Sequence, residues 1–169
     1  MPFLVAALIV LLDRATKIII QSRVTFWDNV PVIKGFFSIV HSENRGAAFG
    51  MFADSTSFLR PFFLIALSLG VMVFITILLL KPGQGGLGSS WYLRFGLACV
   101  LGGAFGNVYD RLLRGSVTDF LEFYFGSYTF PAFNIADSAI TVGAALLLLD
   151  MWLGHLKQQK AQQHATQTD

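Results

Sequence analysis

The sequence is poor in charge. Lys, Arg, Asp and Glu make up 13% of its 169 residues, about half the share of a soluble domain, near 25%. With 54% hydrophobic residues, that deficit excludes an ordinary solvated surface and implies a membrane protein. The single cysteine, Cys99, excludes an internal disulfide framework. Histidine is scarce too. His155 and His164 lie in the C-terminal tail. That leaves His41 without ligand spacing, and we expect neither a metal nor a cofactor. A net charge of +2 gives no sign of a nucleic-acid partner. Residues 81–90, KPGQGGLGSS, lack the Gly-Lys-Ser/Thr ending of a phosphate loop and follow an apolar segment rather than a strand. Residues 3–12 have no basic residue before them and no clean small-residue cleavage site after them. They read as a retained span rather than a signal peptide.

What the sequence does contain is apolar segments in the range of membrane spans, about 20 residues each. They fall at about 3–20, 58–80, 91–109 and 132–152, within one domain, 1–169. Asp54, Ser55 and Ser57 are candidate caps for the second span, and Pro61 suits a first helical turn. Gly102-x-x-x-Gly106 permits close helix contact. Residues 24–53 are punctuated by Pro31, Gly35, Gly46 and Gly50, with aromatic and β-branched clusters at 25–27 and 36–41 that suggest short strands. The expected fold is an all-α membrane protein: four transmembrane helices and a small membrane-surface β-cradle. Residues 114–131 carry Phe120, Phe123, Tyr124, Phe125, Tyr128 and Phe130 and read as an aromatic interfacial connection. The tail, 155–169, reads as frayed and solvated.

Ionisable groups at the edge of hydrocarbon are costly and usually have a partner or a function. At 1.5 Å per residue, Lys17 lies about 21 Å along the first span and Asn107 about 24 Å along the third. Asp137 lies only about 8 Å into the fourth, which starts on the opposite side. Lys17, Asn44, Asn107, Asp119 and Asp137 therefore gather at one membrane face, whichever way the chain inserts. Asp150, about 20 Å beyond Asp137, belongs to the other face. Lys and Arg are spread too evenly to orient the chain by the positive-inside rule.

Asp13 and Lys17 are four apart and share a helix face, either as a self-neutralised pair or as a brace for the site. Asp110 and Arg111 read as an interfacial ion pair. Asp137 follows the plausible N-cap Asn134 by three residues, so a capping role is its plain alternative. A Ser/Lys dyad is weakened because Lys17, the one lysine in a span, has Asp13 beside it. Asp119 and Asp137 remain the best catalytic material. Two carboxylates brought together cannot both ionise easily, so they hold one proton between them. The ionised one accepts a proton from water while the protonated one donates to a carbonyl oxygen.

Five short motifs occur in order: Asp13-Arg14-Ala15-Thr16-Lys17, Asn44-Arg45-Gly46-Ala47-Ala48-Phe49, Gly106-Asn107-Val108-Tyr109-Asp110-Arg111, Val117-Thr118-Asp119-Phe120 and Phe133-Asn134-Ile135-Ala136-Asp137-Ser138. Over nearly the whole chain the sequence resembles lipoprotein signal peptidase, or signal peptidase II, a bacterial membrane aspartic endopeptidase. The resemblance implies a catalytic dyad of Asp119 and Asp137. Asn44, Gly46, Asn107, Arg111 and Asn134 would line or brace the site, with Asp13 and Lys17 in support. The substrate would be a diacylglyceryl-prolipoprotein, cut just before its lipidated cysteine. The chain would sit in the bacterial inner membrane among lipid, with both termini cytoplasmic and the site at the periplasmic or extracellular face. The sequence itself gives no sign of an oligomer, and a monomer is expected. Two other classes compete. A proton-coupled transporter or channel would need polar groups along the full depth, which the second span and most of the fourth lack. A non-catalytic assembly factor would use the acids only as caps and ion pairs.

Overall fold

The structure is a computed structural model that describes residues 1–26, 28–46, 60–80 and 90–166. Trp27, residues 47–59 and residues 81–89 lie outside the described residues. So do the Ala47-Ala48-Phe49 part of the second motif, the candidate caps Asp54, Ser55 and Ser57, and most of the glycine-rich connection.

Among the described residues, four helices and four strands follow in the order α1 (Pro2–Arg23), β1 (Asn29–Ile33), β2 (Phe37–Asn44), α2 (Arg60–Leu80), α3 (Trp91–Arg114), β3 (Val117–Phe125), β4 (Tyr128–Phe133) and α4 (Ile135–Thr166). Among the described residues, Phe62–Leu80 and Ile135–Lys160 are long and apolar enough to cross a membrane. α1 and α3 are interrupted by charges that turn inward: Asp13, Lys17 and Asp110 are at most 1% exposed. Meanwhile Leu4, Leu8, Leu11, Phe62, Phe63 and Leu148 face outward. This inversion of the usual pattern suits a chain whose surroundings are lipid.

Small residues bring the helices together. A Cβ on Gly102 would lie 2.7 Å from the Ala6 carbonyl oxygen, and one on Gly106 would lie 2.6 Å from Asp13 Oδ2. A Cβ on Gly103 would collide with the Ala136 carbonyl oxygen, and one on Gly96 would lie 3.0 Å from that of Gly143. The glycine seam therefore works on two sides, against α1 and against α4. The pairings also give direction: α1 and α3 run parallel, and α4 runs against both. The far ends of α1 and α3 thus meet the start of α4.

The sheet is antiparallel throughout, in the order β1-β2-β3-β4. It is larger than the sequence led us to expect. Residues 114–131 are not a connection: they form most of a hairpin, β3–β4, turning at Gly126 with φ 64°. The signal was a Gly-Ser pair between two β-branched and aromatic runs, which the aromatic content alone had made look interfacial. Of the 25–27 cluster, Thr25 and Phe26 do not begin a strand. The Asp28 amide donates to the Thr25 carbonyl at 3.1 Å, and the Thr25 hydroxyl donates to the Asp28 carboxylate, making a turn instead. β1 carries Pro31 and is an edge strand, where a missing N–H is tolerated. α3 runs five residues past its expected end, to Arg114, and is capped by Gly115 in the left-handed conformation at φ 74°. α4 continues to Thr166, where a frayed tail was expected.

Gly103→Ala should lower the thermal midpoint in detergent by an amount equivalent to about 1–3 kcal/mol, since its methyl meets a backbone carbonyl. Gly154→Ala, where a Cβ meets nothing within 4 Å, should leave it unchanged or raise it. Equal midpoints for the two variants would contradict the packing described.

Candidate functional site

Lys17 is the centre from which the site is built. Its side chain is wholly buried, with Nζ 2.8 Å from Asp13 Oδ2, 2.8 Å from Asp110 Oδ2 and 3.2 Å from Asn107 Oδ1. Asp110 Oδ1 accepts from Arg14 Nη1 at 2.7 Å, and the Arg14 guanidinium lies over the Tyr109 ring. Two acids and two bases therefore neutralise one another, all but the partly exposed Arg14 out of water. This corrects one expectation: Asp110 pairs with Arg14 and Lys17, not with Arg111. Successive residues on a helix point in different directions, so Asp110 and Arg111 serve different neighbours. Asp13 reaches further still: its Oδ1 accepts the backbone N–H of Ala136 at 3.0 Å. It is at once a neutralised pair with Lys17 and a brace that ties α1 to the first turn of α4.

Asn107 passes this order on to the acids. Its Oδ1 accepts from Lys17, which leaves its Nδ2 to donate to Asp137 Oδ1 at 2.7 Å. Asn134 and Asp137 form a reciprocal cap: the Asp137 N–H donates to Asn134 Oδ1 at 2.9 Å, and the Asn134 N–H donates to Asp137 Oδ2 at 3.3 Å. The capping alternative for Asp137 is therefore true of its geometry, and it does not withdraw the carboxylate from the cluster. The Asn134 side-chain amide donates to Asp119 Oδ1 at 2.7 Å. One asparagine thus contacts both acids.

Asp119 comes from β3, and β2 supplies its second partner, Asn44, whose Nδ2 donates to Oδ2 at 3.0 Å. The Gly46 N–H donates to Asn44 Oδ1 at 2.8 Å, and Arg111 Nη2 donates to the Gly46 carbonyl at 2.9 Å. Arg111 therefore holds the chain beyond β2 and touches neither acid directly through a hydrogen bond. All nine residues singled out in the sequence (Asp13, Lys17, Asn44, Gly46, Asn107, Arg111, Asp119, Asn134 and Asp137) fall into this one linked cluster. The sequence did not point to Gln21, Glu43, Ser116 and Thr118 as one group; they form a polar cluster next to Asp119. Recognising β3 would have found Thr118 and Ser116 at its start.

Burial pushes the Asp119 carboxyl up to about 7, and the negative charge of Asp137 adds to the rise. Hydrogen bonds from Asn44 and Asn134 and the charge of Lys17 act against it. At neutral pH this acid sits at the edge of ionisation, where it can both give and take a proton. Beside it a recess of about 300 Å³ opens along Ser42, Asn44, Arg45, Pro131 and Ala132. A larger recess, about 530 Å³, lies at the opposite end between α1 and α3, away from every group above.

Residues 5–153 match the family model described as signal peptidase (SPase) II. The chain belongs to the signal peptidase II family, a family of aspartic peptidases. The lipoprotein signal peptidase of Solibacter usitatus is 49% identical to it over 147 residues, 87% of each chain. That of Cupriavidus taiwanensis is 47% identical over 148 residues, covering 86% of this chain and 78% of its own. Two solved bacterial membrane enzymes share the fold. One, at 2.3 Å, has a TM-score of 0.75 at 30% identity over 89% of this chain and 87% of its own. The other, at 1.9 Å, has a TM-score of 0.76 at 29% identity over 89% of this chain and 91% of its own. Membership in this family agrees with the enzyme class expected from the motifs, and the fold agrees with a bacterial membrane enzyme.

Lys17→Met would leave Asp13 and Asp110 facing each other without their shared cation. It should destabilise the protein by about 3–5 kcal/mol, read as a lowered unfolding midpoint in detergent. An unchanged midpoint would contradict the bracing role.

Proposed function

We propose that this signal peptidase II removes the signal peptide from diacylglyceryl-modified prolipoproteins, with Asp119 and Asp137 as its catalytic dyad. The observation that carries the reading is the double contact of Asn134, which holds Asp119 through its side chain and Asp137 through its cap. Its relatives named lipoprotein signal peptidase support the substrate class.

In this scheme Asp119 holds the shared proton and Asp137, held by the Asn107 amide, is the ionised partner. Asp137 takes a proton from water as the oxygen attacks the scissile carbonyl, and Asp119 donates its proton to the carbonyl oxygen. Collapse of the tetrahedral intermediate breaks the C–N bond just before the lipidated cysteine. The proton held by Asp137 goes to the leaving amine, and Asp119 recovers its own from the intermediate. The pair titrates as a unit, and no metal or cofactor enters.

The same reading extends to placement. All four helices cross the membrane, α1 and α3 keeping their charges turned inward. The substrate's acyl chains stay in the bilayer and enter from the side, with the scissile bond at the level of the dyad. Both termini lie in the cytoplasm of a monomer in the bacterial inner membrane, and the sheet lies on the outer face. The clean apolar course of α2 favours this over a transporter, which needs polar groups through the full depth.

The test is cleavage of a diacylglyceryl-prolipoprotein by purified protein in detergent. Asp119→Asn and Asp137→Asn should each lower the rate by roughly 10²–10⁴-fold, the share of positioned acid–base catalysis. The wild-type rate should fall as pH rises through about 7, because that is where the pair loses the proton it must donate. Full activity in either variant, or a rate still rising well above that pH, would end the dyad reading.

A further inference from the structure

We propose that Glu43 is a positioning residue for the reaction: its carboxylate pins the end of β2 to the start of β3 and thereby sets where Asn44 meets Asp119. The proposal rests on the dyad reading above. Asn44 lies opposite Val117 and Ser42 opposite Asp119. The amide of Asn44 therefore reaches Asp119 diagonally across the two strands, and a diagonal contact depends on register. The pairing of β2 with β3 is irregular immediately before this contact, between Ile39 and Ser42.

Side chains make good that gap. Glu43 lies opposite Thr118. Ser116 Oγ donates to Glu43 Oε2 at 2.7 Å, and Thr118 Oγ1 donates to Glu43 Oε1 at 2.9 Å. Thr118 is in turn held by Gln21 Nε2 of α1 at 2.6 Å, and its carbonyl accepts from Asn134 at 3.4 Å. The His41 ring, stacked on Phe26 with Nδ1 2.8 Å from the Val24 carbonyl, places Nε2 3.4 Å from Glu43 Oε1. Neighbouring residues on a strand point to opposite faces. Glu43 and Thr118 are tied on one face, and Asn44 and Asp119 are thereby aligned on the other. Ser116 and Thr118 are buried, so each loses a partner it cannot replace with water if the carboxylate is removed.

The experiment is steady-state cleavage of a diacylglyceryl-prolipoprotein by the full chain, with Asp119→Asn run alongside. Glu43→Ala should lower kcat roughly ten- to a hundredfold, the loss expected when charged hydrogen bonds go, and change KM by less than about threefold. Glu43→Gln should restore most of kcat, because its amide still accepts from Thr118 and can donate to Ser116. In an Asn44→Ala background the loss on Glu43→Ala should shrink to under about a third of its usual factor on a logarithmic scale, since the two act through one contact. Thr118→Val, which removes at near-constant volume the hydroxyl that joins Glu43 to Gln21, should show the same shrinkage and serves if Glu43→Ala does not fold. Wild-type kcat in Glu43→Ala and Thr118→Val, losses that simply multiply with Asn44→Ala, or a Gln variant no better than Ala would overturn the proposal. Wild-type cleavage by Asp119→Asn would instead remove the dyad reading on which it rests.

Discussion

A lysine ammonium with no access to water must be surrounded by acceptors, or the fold cannot contain it. Lys17 meets that demand with Asp13 from its own helix and with Asp110 and Asn107 from α3. The arrangement costs desolvation of several charges, and removing any one partner would strand the others. What it secures is position. The late turns of α1 and α3 are fixed to each other, and Asp13 extends the grip to α4 through the Ala136 N–H. Three helices from distant parts of the chain are thus brought to one point at one level.

From that point the order spreads by hydrogen bonds with little slack. Asn107 takes Lys17 on its oxygen and Asp137 on its nitrogen. Asn134, at the junction of β4 and α4, takes the N–H of Asp137 on its oxygen and gives its side-chain amide to Asp119. The helices thus deliver one carboxylate and the sheet delivers the other. The glycines of α3 allow this by letting backbones approach where a methyl group would collide. Low charge, small residues and buried ion pairs are therefore one design: a polar site made inside an apolar protein whose outer surface is left to lipid.

Much of this was legible in the sequence because helical rise is constant. Once spans were assigned, depth alone placed Lys17, Asn107 and Asp137 at one face, and the pairing of Asp13 with Lys17 followed from their spacing. Asp119 could be placed near them but not given its support. The aromatic run that follows it resembles an interfacial stretch, and the hairpin shows only through its Gly-Ser turn. The partners of Asp110 were also out of reach, because nothing in the order of residues says that Arg14 and Lys17 of α1 both face it. Asp137 shows a further limit. Capping and site chemistry were weighed as alternatives, yet one carboxylate with two oxygens caps α4 and still keeps its contact with Asn107.

A proton shared by Asp119 and Asp137 in a buried site is visible to infrared difference spectroscopy of the carboxyl C=O stretch in the detergent-solubilised protein across a pH titration. Sharing should give a protonated-carboxyl band that disappears as pH rises through about 7 and is absent from Asp119→Asn. A spectrum with no such band at mildly acidic pH, or the same band persisting in Asp119→Asn, would contradict it.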